Sequence, residues 1–325
     1  MREKPLLVTM GDPNGIGLEI TFKAWKQRKT EQLPDFILVG ATSRVEAALN
    51  LLKMDIPTAI LRSPNEDCDP SRLNIIDIGE NNQSPAEETI QSIVMATNYC
   101  MNGEARALIT NPIQKKRLYE AGFKHPGHTE FLAELTGSPD KSVMMLACPG
   151  LRVVPATIHI PLAQVKQTLT ADRLEAVVRT TYRDLVTRFA IREPHLVIAG
   201  LNPHAGEDGS IGQEEIEIIQ PLVNRLKSEG MNISGPYPAD SLFHEKMRKS
   251  YDAAICMYHD QALIPLKTID FDKGVNITLG LPIIRTSPDH GTAEDIFGKG
   301  LANPASLIEA IKAADLMSRT QGDRS

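Results

Sequence analysis

Three histidines follow short apolar runs in this sequence and could together bind a metal ion. They are His159 in ATIHIP, His204 in LNPHAGE and His259 in MYHDQ. The apolar runs before them, residues 153–158, 196–201 and 253–257, predict β-strands. Imidazoles at three strand ends can converge on one ion and leave other coordination positions open, as catalytic metal sites require. A buried histidine near a strand end more often makes a structural hydrogen bond, and the spacing matches no metal motif, so both interpretations stay open.

A second group of polar residues could bind an anion. His128 and Thr129 stand just before the predicted helix 131–135. Either could simply cap that helix, but the backbone N–H groups and dipole at a helix start would also suit a phosphate. Lys267, Asn276 and Arg285 could be solvated surface residues. Arg285, however, lies in the apolar run LPIIRTS, where a guanidinium needs an anionic partner.

Two glycine-rich segments, 11–17 and 289–300, lack the G-x-G-x-x-G spacing of a Rossmann nucleotide site. The first predicts a turn between a strand and a helix, which is either purely structural or lines a cleft. The sequence has neither a Walker loop nor the context of a nucleophile elbow.

Apolar strand-like runs alternate with helical patterns along most of the chain. The predicted strands are 6–10, 36–39, 73–78 and 107–110, and the predicted helices are 19–28, 44–53, 86–101, 171 to about 191, and 304–317. The helix from 171 has an apolar stripe of Leu174, Val177, Val178, Tyr182, Leu185 and Phe189. This alternation predicts an α/β fold with a parallel or mixed sheet covered on both faces.

A chain of 325 residues fits two domains. We expect a discontinuous first domain, 1–125 plus 275–325, and a second domain, 126–274, that carries the histidines. The net charge of −6, without a run of lysine and arginine, favours a small anionic ligand over nucleic acid. No apolar stretch reaches the roughly 18 residues that span a bilayer, and no signal peptide is expected. The four dispersed cysteines predict buried, reduced thiols in a cytoplasmic protein.

Seven long motifs in one order resemble the 4-hydroxythreonine-4-phosphate dehydrogenase family of pyridoxal 5′-phosphate biosynthesis. They are GDPNGIG, NPIQKKRLYEAGFKHPGHTEFLAELTG, ATIHIPL, GLNPHAGEDG, GPYPADSLF, YHDQALIPLK and VNITLGLPIIRTSPDHGTAEDIFGKG. The stretch DHGTAEDIFGKGLANP is also similar to the adenosine-binding loop of isopropylmalate and isocitrate dehydrogenases. The resemblance implies their two-domain α/β fold, with mixed sheets flanked by helices and the active site in the interdomain cleft.

The resemblance also implies the roles of individual residues. It assigns metal binding to His159, His204 and His259, substrate binding to His128, Thr129, Lys267, Asn276 and Arg285, and cofactor binding to His290, Gly291, Thr292 and Asp295. The cofactor would be NAD or NADP, with one divalent ion of zinc, cobalt, magnesium or manganese per subunit. The family is homodimeric, and its metal site is completed across the dimer interface, which the second domain would form. The three histidines therefore need not converge within one subunit.

The expected reaction is oxidation of 4-(phosphooxy)-L-threonine at C3, followed by loss of CO2 to give 3-amino-2-oxopropyl phosphate. Lys267 or Asp240 would act as the base. One alternative is the sister group that oxidises 4-phospho-threonate or 4-phospho-erythronate. A metal-dependent phosphohydrolase and a non-catalytic phospho-metabolite binder are the alternatives from other classes.

Overall fold

The computed structural model describes residues 3–79, 83–125, 127–139 and 141–322. Its strands are β1 Leu6–Thr9, β2 Phe36–Gly40, β3 Thr58–Leu61, β4 Leu73–Asp77, β5 Ala107–Ile109, β6 Val143–Cys148, β7 Leu151–Pro155, β8 Leu196–Ala199, β9 Ile233–Tyr237, β10 Ala253–Cys256, β11 Val275–Leu279 and β12 Arg285–Pro288. Its α-helices are α1 Gly17–Gln27, α2 Thr42–Leu51, α3 Pro85–Met101, α4 Lys115–Glu120, α5 His128–Leu135, α6 Leu162–Thr168, α7 Ala171–Arg188, α8 Gln220–Ser228, α9 Ala239–Leu242, α10 Glu245–Arg248, α11 His259–Ile269 and α12 Ala305–Gly322.

The chain forms two compact units. Unit 1 contains Met1–Ser142 and Leu281–Ser325, and unit 2 contains Val143–Gly280. The units divide after residues 142 and 280, whereas the expected domain boundaries follow residues 125 and 274. As a result, His128 and Thr129 belong to unit 1. Pro126, the first residue of the expected second domain, lies outside the described residues.

In unit 1 the strands run in the order β3, β4, β2, β1, β5, β12, and their pairs are parallel. The strands β1, β2 and β5 are buried along their whole length, as expected for parallel strands covered on both faces. Helix α3 packs on β1 and β2, and α12 packs on β5 and β12. Ser84 and Glu87 form a capping box at the start of α3, and Pro85 favours the first helical position there.

In unit 2 the strands run in the order β11, β6, β7, β10, β8, β9. The pairs β11–β6 and β6–β7 are antiparallel, whereas β7–β10, β10–β8 and β8–β9 are parallel. This sheet is therefore mixed, as the sequence predicted. Because β10 lies between β7 and β8 and runs parallel to both, the carboxyl ends of these three strands lie at the same edge of the sheet.

Helix α7 differs from its prediction in length and in the side chains that it buries. It ends at Arg188 rather than near 191, because the chain turns at Ala190, where φ is +57°. Its buried face includes Thr181, Asp184 and Arg188, while Tyr182 and Phe189 of the predicted stripe are only partly buried. Asp184 tolerates burial because its Oδ2 accepts the backbone N–H of Gly280 at 2.8 Å and its carboxylate also pairs with Arg183 and Arg188.

In the part of the chain that the structure describes, none of the helices has the length and apolar character needed to cross a membrane. Two of the four cysteines, Cys100 and Cys256, are buried, whereas Cys68 and Cys148 are only partly buried. Burial raises the pKa of the Cys100 thiol to about 12.

Candidate functional site

The three candidate metal ligands follow three neighbouring parallel strands of unit 2. His159 comes shortly after β7, His259 after the central strand β10, and His204 after β8. The carboxyl ends of parallel strands are where α/β sheets bind their ligands. The strand order, which no local pattern in the sequence encodes, thus gathers the trio at one edge of one sheet.

His159 and His259 share the wall of one cavity. Their ring centroids are 5.6 Å apart, with the ring planes inclined at 43°. The cavity has a volume of about 230 Å³ and is also lined by Thr157, Ile158, Ile160, Leu162, Val165, Tyr258 and Asp260. The Nδ1 atom of His259 lies 2.7 Å from the Asp260 carboxylate, a contact of the kind that orients an imidazole for metal binding through its other nitrogen.

His204 lies on an exposed left-handed turn beyond β8. Within the described residues, no three histidine, cysteine, aspartate or glutamate side chains are grouped so that they could hold a metal ion. The structure therefore brings two of the three histidines together around a cavity and places the third after the neighbouring strand. Metal binding by the trio stays a prediction.

Hydrogen bonds link the segments that carry the three histidines. The Thr157 hydroxyl donates to the carbonyl of Met257 at 2.7 Å. The Gln261 side chain accepts the N–H of Met257 at 2.6 Å and donates to the carbonyl of Gly200 at 2.8 Å. Gln261 thus joins the His259 segment to the end of β8. Sequence reasoning missed this residue, although its position two residues after His259 could have drawn attention to it.

Arg285 lies at the centre of a polar cluster in unit 1. It is the first residue of β12, beside β5, and is only 2% exposed. Its Nε and Nη2 atoms donate to the Thr110 hydroxyl at 3.2 and 2.6 Å. Burial lowers the pKa of Arg285 to about 10, and the negative charge of Glu130 opposes that shift. A buried guanidinium at a strand end suits an anionic ligand.

His128 adds an uncharged ring to this cluster. Burial, followed by the positive charges of Arg285 and Lys115, holds its pKa well below 6.5, so the ring is neutral at neutral pH. Its Nε2 atom is buried and has no hydrogen-bond partner among the described residues. A buried ring nitrogen without a partner favours a ligand that supplies one.

The interpretation of His128 or Thr129 as the helix cap is wrong. The N-cap of α5 is Gly127, and neither side chain caps the helix because both lie inside its first turn. Lys115 and Thr110, which sequence reasoning did not single out, complete the polar surroundings of Arg285 and His128. They stand at the two ends of the segment TNPIQK, residues 110–115, which leads from β5 into α4.

The remaining substrate and base candidates lie in unit 2. Asn276 is in β11 opposite Leu146, and its buried Oδ1 atom accepts no hydrogen bond from the part of the chain that the structure describes. The Lys267 ammonium lies 5.1 Å from the centroid of the Phe271 ring. Asp240 is exposed and lines a separate cavity of about 390 Å³ beside α11.

The candidate cofactor segment packs against the first glycine-rich turn. The carbonyl of Thr292 accepts the N–H of Ile16 at 3.0 Å, and a Cβ on Gly15 would come within 3.0 Å of the Thr292 Cβ. The Nδ1 atom of His290 lies 3.0 Å from the carbonyl of Gly291, and Asp295 is exposed. The turn 11–17 therefore supports the segment that the resemblance assigns to the cofactor.

Arg117 ties these two segments to helix α4. Its Nη1 atom lies 2.8 Å from the Asp12 carboxylate and its Nη2 atom 3.1 Å from the Glu294 carboxylate. Gln114 donates a further hydrogen bond to Glu294 at 2.9 Å. Asp12 is almost fully buried, so its pairing with Arg117 compensates the loss of water.

The architecture and these sites define an α/β enzyme scaffold, and comparison with known proteins identifies its family. The structure resembles the crystal structure of a 4-hydroxythreonine-4-phosphate dehydrogenase from Klebsiella pneumoniae, with a TM-score of 0.85 and 36% sequence identity. The match covers 97% of this chain and 100% of that chain. The predicted α/β fold is thereby confirmed. The sequence matches the family "Pyridoxal phosphate biosynthetic protein PdxA" over residues 32–314. The chain belongs to this family.

Two further relatives are named 4-hydroxythreonine-4-phosphate dehydrogenase. The protein from a species of Ruegeria is 48% identical over 320 residues, which cover 97% of each chain. A protein from Methylorubrum extorquens is 45% identical over 337 residues, which cover 99% of this chain and 96% of the relative. The family resemblance drawn from the motifs is confirmed.

Proposed function

We propose that this protein oxidises 4-(phosphooxy)-L-threonine at C3 with NAD or NADP. The product, 2-amino-3-oxo-4-(phosphooxy)butanoate, then loses CO2 to give 3-amino-2-oxopropyl phosphate, a step in pyridoxal 5′-phosphate synthesis. The names of relatives with 45 and 48% identity over nearly the whole chain support this substrate. The structural observation that carries the proposal is the placement of the three histidines after adjacent parallel strands, with His159 and His259 around one cavity.

The chemistry of these donors fits a divalent metal. His159, His204 and His259 would hold zinc, cobalt, magnesium or manganese, one ion per subunit, with the site completed in a homodimer. A divalent ion bound there would lower the pKa of a substrate hydroxyl and stabilise negative charge that develops on its oxygen. The contact between His259 and Asp260 supports this role, because such contacts orient metal-binding imidazoles.

The polar cluster of unit 1 would bind an anionic group of the substrate. Arg285 supplies a fixed positive charge, while His128 and Thr129 supply hydrogen-bonding groups beside it. Either the phosphate or the carboxylate fits this chemistry. Asn276 would accept a hydrogen bond from a substrate amine or hydroxyl, since none of the described residues donates to its buried oxygen.

A base must remove the proton of the C3 hydroxyl as hydride leaves C3. We assign this role to Lys267, with Asp240 as the second candidate. His290, Gly291, Thr292 and Asp295 would hold the nicotinamide cofactor, which accepts the hydride. The hydrogen bond from Ile16 N–H to the Thr292 carbonyl supports this role, because it holds the segment in place for cofactor binding.

The test is turnover of 4-(phosphooxy)-L-threonine with each nicotinamide cofactor and several divalent metals. NADH or NADPH should form without release of inorganic phosphate. Faster turnover of 4-phospho-threonate or 4-phospho-erythronate would assign the chain to the sister activity. Phosphate release without a reduced cofactor would instead identify a phosphohydrolase.

A further inference from the structure

The turn that carries His204 has an unusual backbone. Six consecutive residues have positive φ: His204, Ala205, Gly206, Glu207, Asp208 and Gly209. For residues other than glycine, the left-handed helical conformation costs roughly 1–2 kcal/mol each. Such a conformation persists only where the surrounding structure enforces it, and it is concentrated at functional sites. Neighbouring groups must therefore hold this turn in place.

Glu215 is the group that holds the start of the turn. Its Oε1 atom accepts the backbone N–H of Asn202 at 2.8 Å, and its Oε2 atom accepts the Asn202 side-chain amide at 2.9 Å. Both carboxylate oxygens thus accept hydrogen bonds from Asn202, which lies two positions before His204. Glu215 is 3% exposed, so these hydrogen bonds form away from bulk water.

The turn itself closes over the Glu215 carboxylate. A Cβ on Gly206, where φ is +81°, would lie 2.6 Å from Oε2 of Glu215, so a larger residue would strain the backbone and displace this carboxylate. A Cβ on Gly200, at the other end of the segment, would lie 3.1 Å from Oε1. The backbone therefore packs closely against the Glu215 carboxylate at both ends of the segment 200–206.

Glu214 links Asn202 to helix α6, which follows His159 in the chain. Its Oε2 atom accepts the Asn202 amide at 2.8 Å, and its Oε1 atom lies 2.5 Å from the Lys166 ammonium of α6. Hydrogen bonds from Lys166 and Asn202 lower the pKa of Glu214 to about 2, so it remains an acceptor. Asn202 is the residue on which both carboxylates converge.

We propose that Glu215 is a positioning residue that holds the left-handed turn 204–208 and thereby presents His204 to the metal. This inference rests on the proposed function for its metal, but the turn itself can be examined without metal. A glutamine at 215 has nearly the same shape but only one acceptor oxygen. It therefore cannot satisfy both donors of Asn202.

The experiment compares Glu215→Gln with wild type and with the control Glu217→Gln, a change at an exposed position two residues away. Hydrogen–deuterium exchange is followed in the metal-free protein, and Co²⁺ affinity is measured by competition with a chromogenic chelator. We expect at least tenfold faster exchange at 204–208 and about 10- to 100-fold weaker Co²⁺ binding in Glu215→Gln alone. The visible spectrum of the remaining bound Co²⁺ should change, because a histidine is lost from its coordination.

Wild-type exchange at 204–208 in Glu215→Gln would overturn the proposal, and so would faster exchange with unchanged Co²⁺ affinity and spectrum. If Glu215→Gln does not fold, Asn202→Ala, at a half-buried position, removes the side-chain half of the contact and should give the same changes in smaller measure. Failure of wild type to bind Co²⁺ would contradict the proposed function. The exchange comparison would still show whether Glu215 holds the turn.

Discussion

The imidazole of His159 lies 5.6 Å from that of His259, centroid to centroid, although a hundred residues separate them in the chain. The contact exists because β7 and β10 are parallel neighbours whose carboxyl ends lie together. The hydrogen bond from Thr157 to the carbonyl of Met257 links the two segments just before the histidines. The two imidazoles thus line one cavity.

Asp260 should strengthen metal binding through His259. Asp260→Asn replaces the carboxylate that lies 2.7 Å from His259 Nδ1, so the ring becomes a weaker and less well oriented ligand. We expect Co²⁺ affinity to fall about tenfold or more, up to 100-fold, without a change in fold. Competition with a chelator measures the affinity. The exposed Asp172 provides the control Asp172→Asn, and equal affinities of both variants would contradict this role.

Arg285 should bind the substrate without affecting metal binding. Arg285→Met keeps much of the side-chain volume but removes the buried, positively charged guanidinium, which donates hydrogen bonds to the Thr110 hydroxyl. Hydrogen bonds to charged groups contribute about 1.5–3 kcal/mol, which corresponds to about a 10- to 150-fold fall in kcat/KM for the phosphorylated substrate. Steady-state kinetics and Co²⁺ affinity are measured together. A normal kcat/KM in the variant would exclude Arg285 from the substrate site.

His128 should make stability depend on pH. Its pKa is lowered in the folded protein, so the unfolded chain binds the additional proton below pH 6.5. The stabilisation linked to neutral His128 is therefore fully present above pH 6.5 and is lost as the pH falls toward the folded pKa. His128→Asn should lose less of its free energy of unfolding between pH 7.5 and 5.5 than wild type does.

Urea unfolding at the two pH values measures this difference. His244→Asn is the control, because His244 is exposed and asparagine can also cap α10. Equal pH dependence in His128→Asn and wild type would show that His128 is not the group responsible.

Arg117 should hold the cofactor segment in place through its ion pair with Glu294, without contacting the cofactor itself. Arg117→Met removes the contacts with Asp12 and Glu294, which join the first turn and the segment 289–300 to α4. We expect the KM for the nicotinamide cofactor to rise about three- to tenfold with kcat nearly unchanged, since the partly exposed ion pair between Arg117 and Glu294 of the cofactor segment contributes about 1 kcal/mol. Lys116→Met, at the exposed neighbouring position, should leave this KM unchanged. A rise in the KM for the substrate alone would contradict the assignment.

The local elements could be predicted closely because they depend on short apolar runs. The strand ends in β1, β2, β4 and β5 lie within one residue of their predictions. The end of α7 could not be located, because Ala190 adopts positive φ without a glycine to signal it. Nor could the burial of Asp184 be foreseen, since one of its partners is the backbone of Gly280, far along the chain.

The site followed from the sequence only in part. The motifs identified the candidate histidines, but their gathering depends on the order of β7, β10 and β8, which is a tertiary property. Gln261 and Glu215 were missed because glutamine and glutamate in a helical pattern normally indicate a solvated face. Their importance comes from buried hydrogen bonds to backbone groups in other segments.

A metal held by His159, His204 and His259 is central to the proposed function. The direct measurement is NADH or NADPH formation from 4-(phosphooxy)-L-threonine while Co²⁺ is returned to chelator-treated wild type and to His204→Ala, with bound metal determined in parallel. We predict that wild type recovers turnover in proportion to bound Co²⁺, whereas His204→Ala binds Co²⁺ weakly and forms no reduced cofactor. Wild-type turnover by His204→Ala without bound metal would contradict the account.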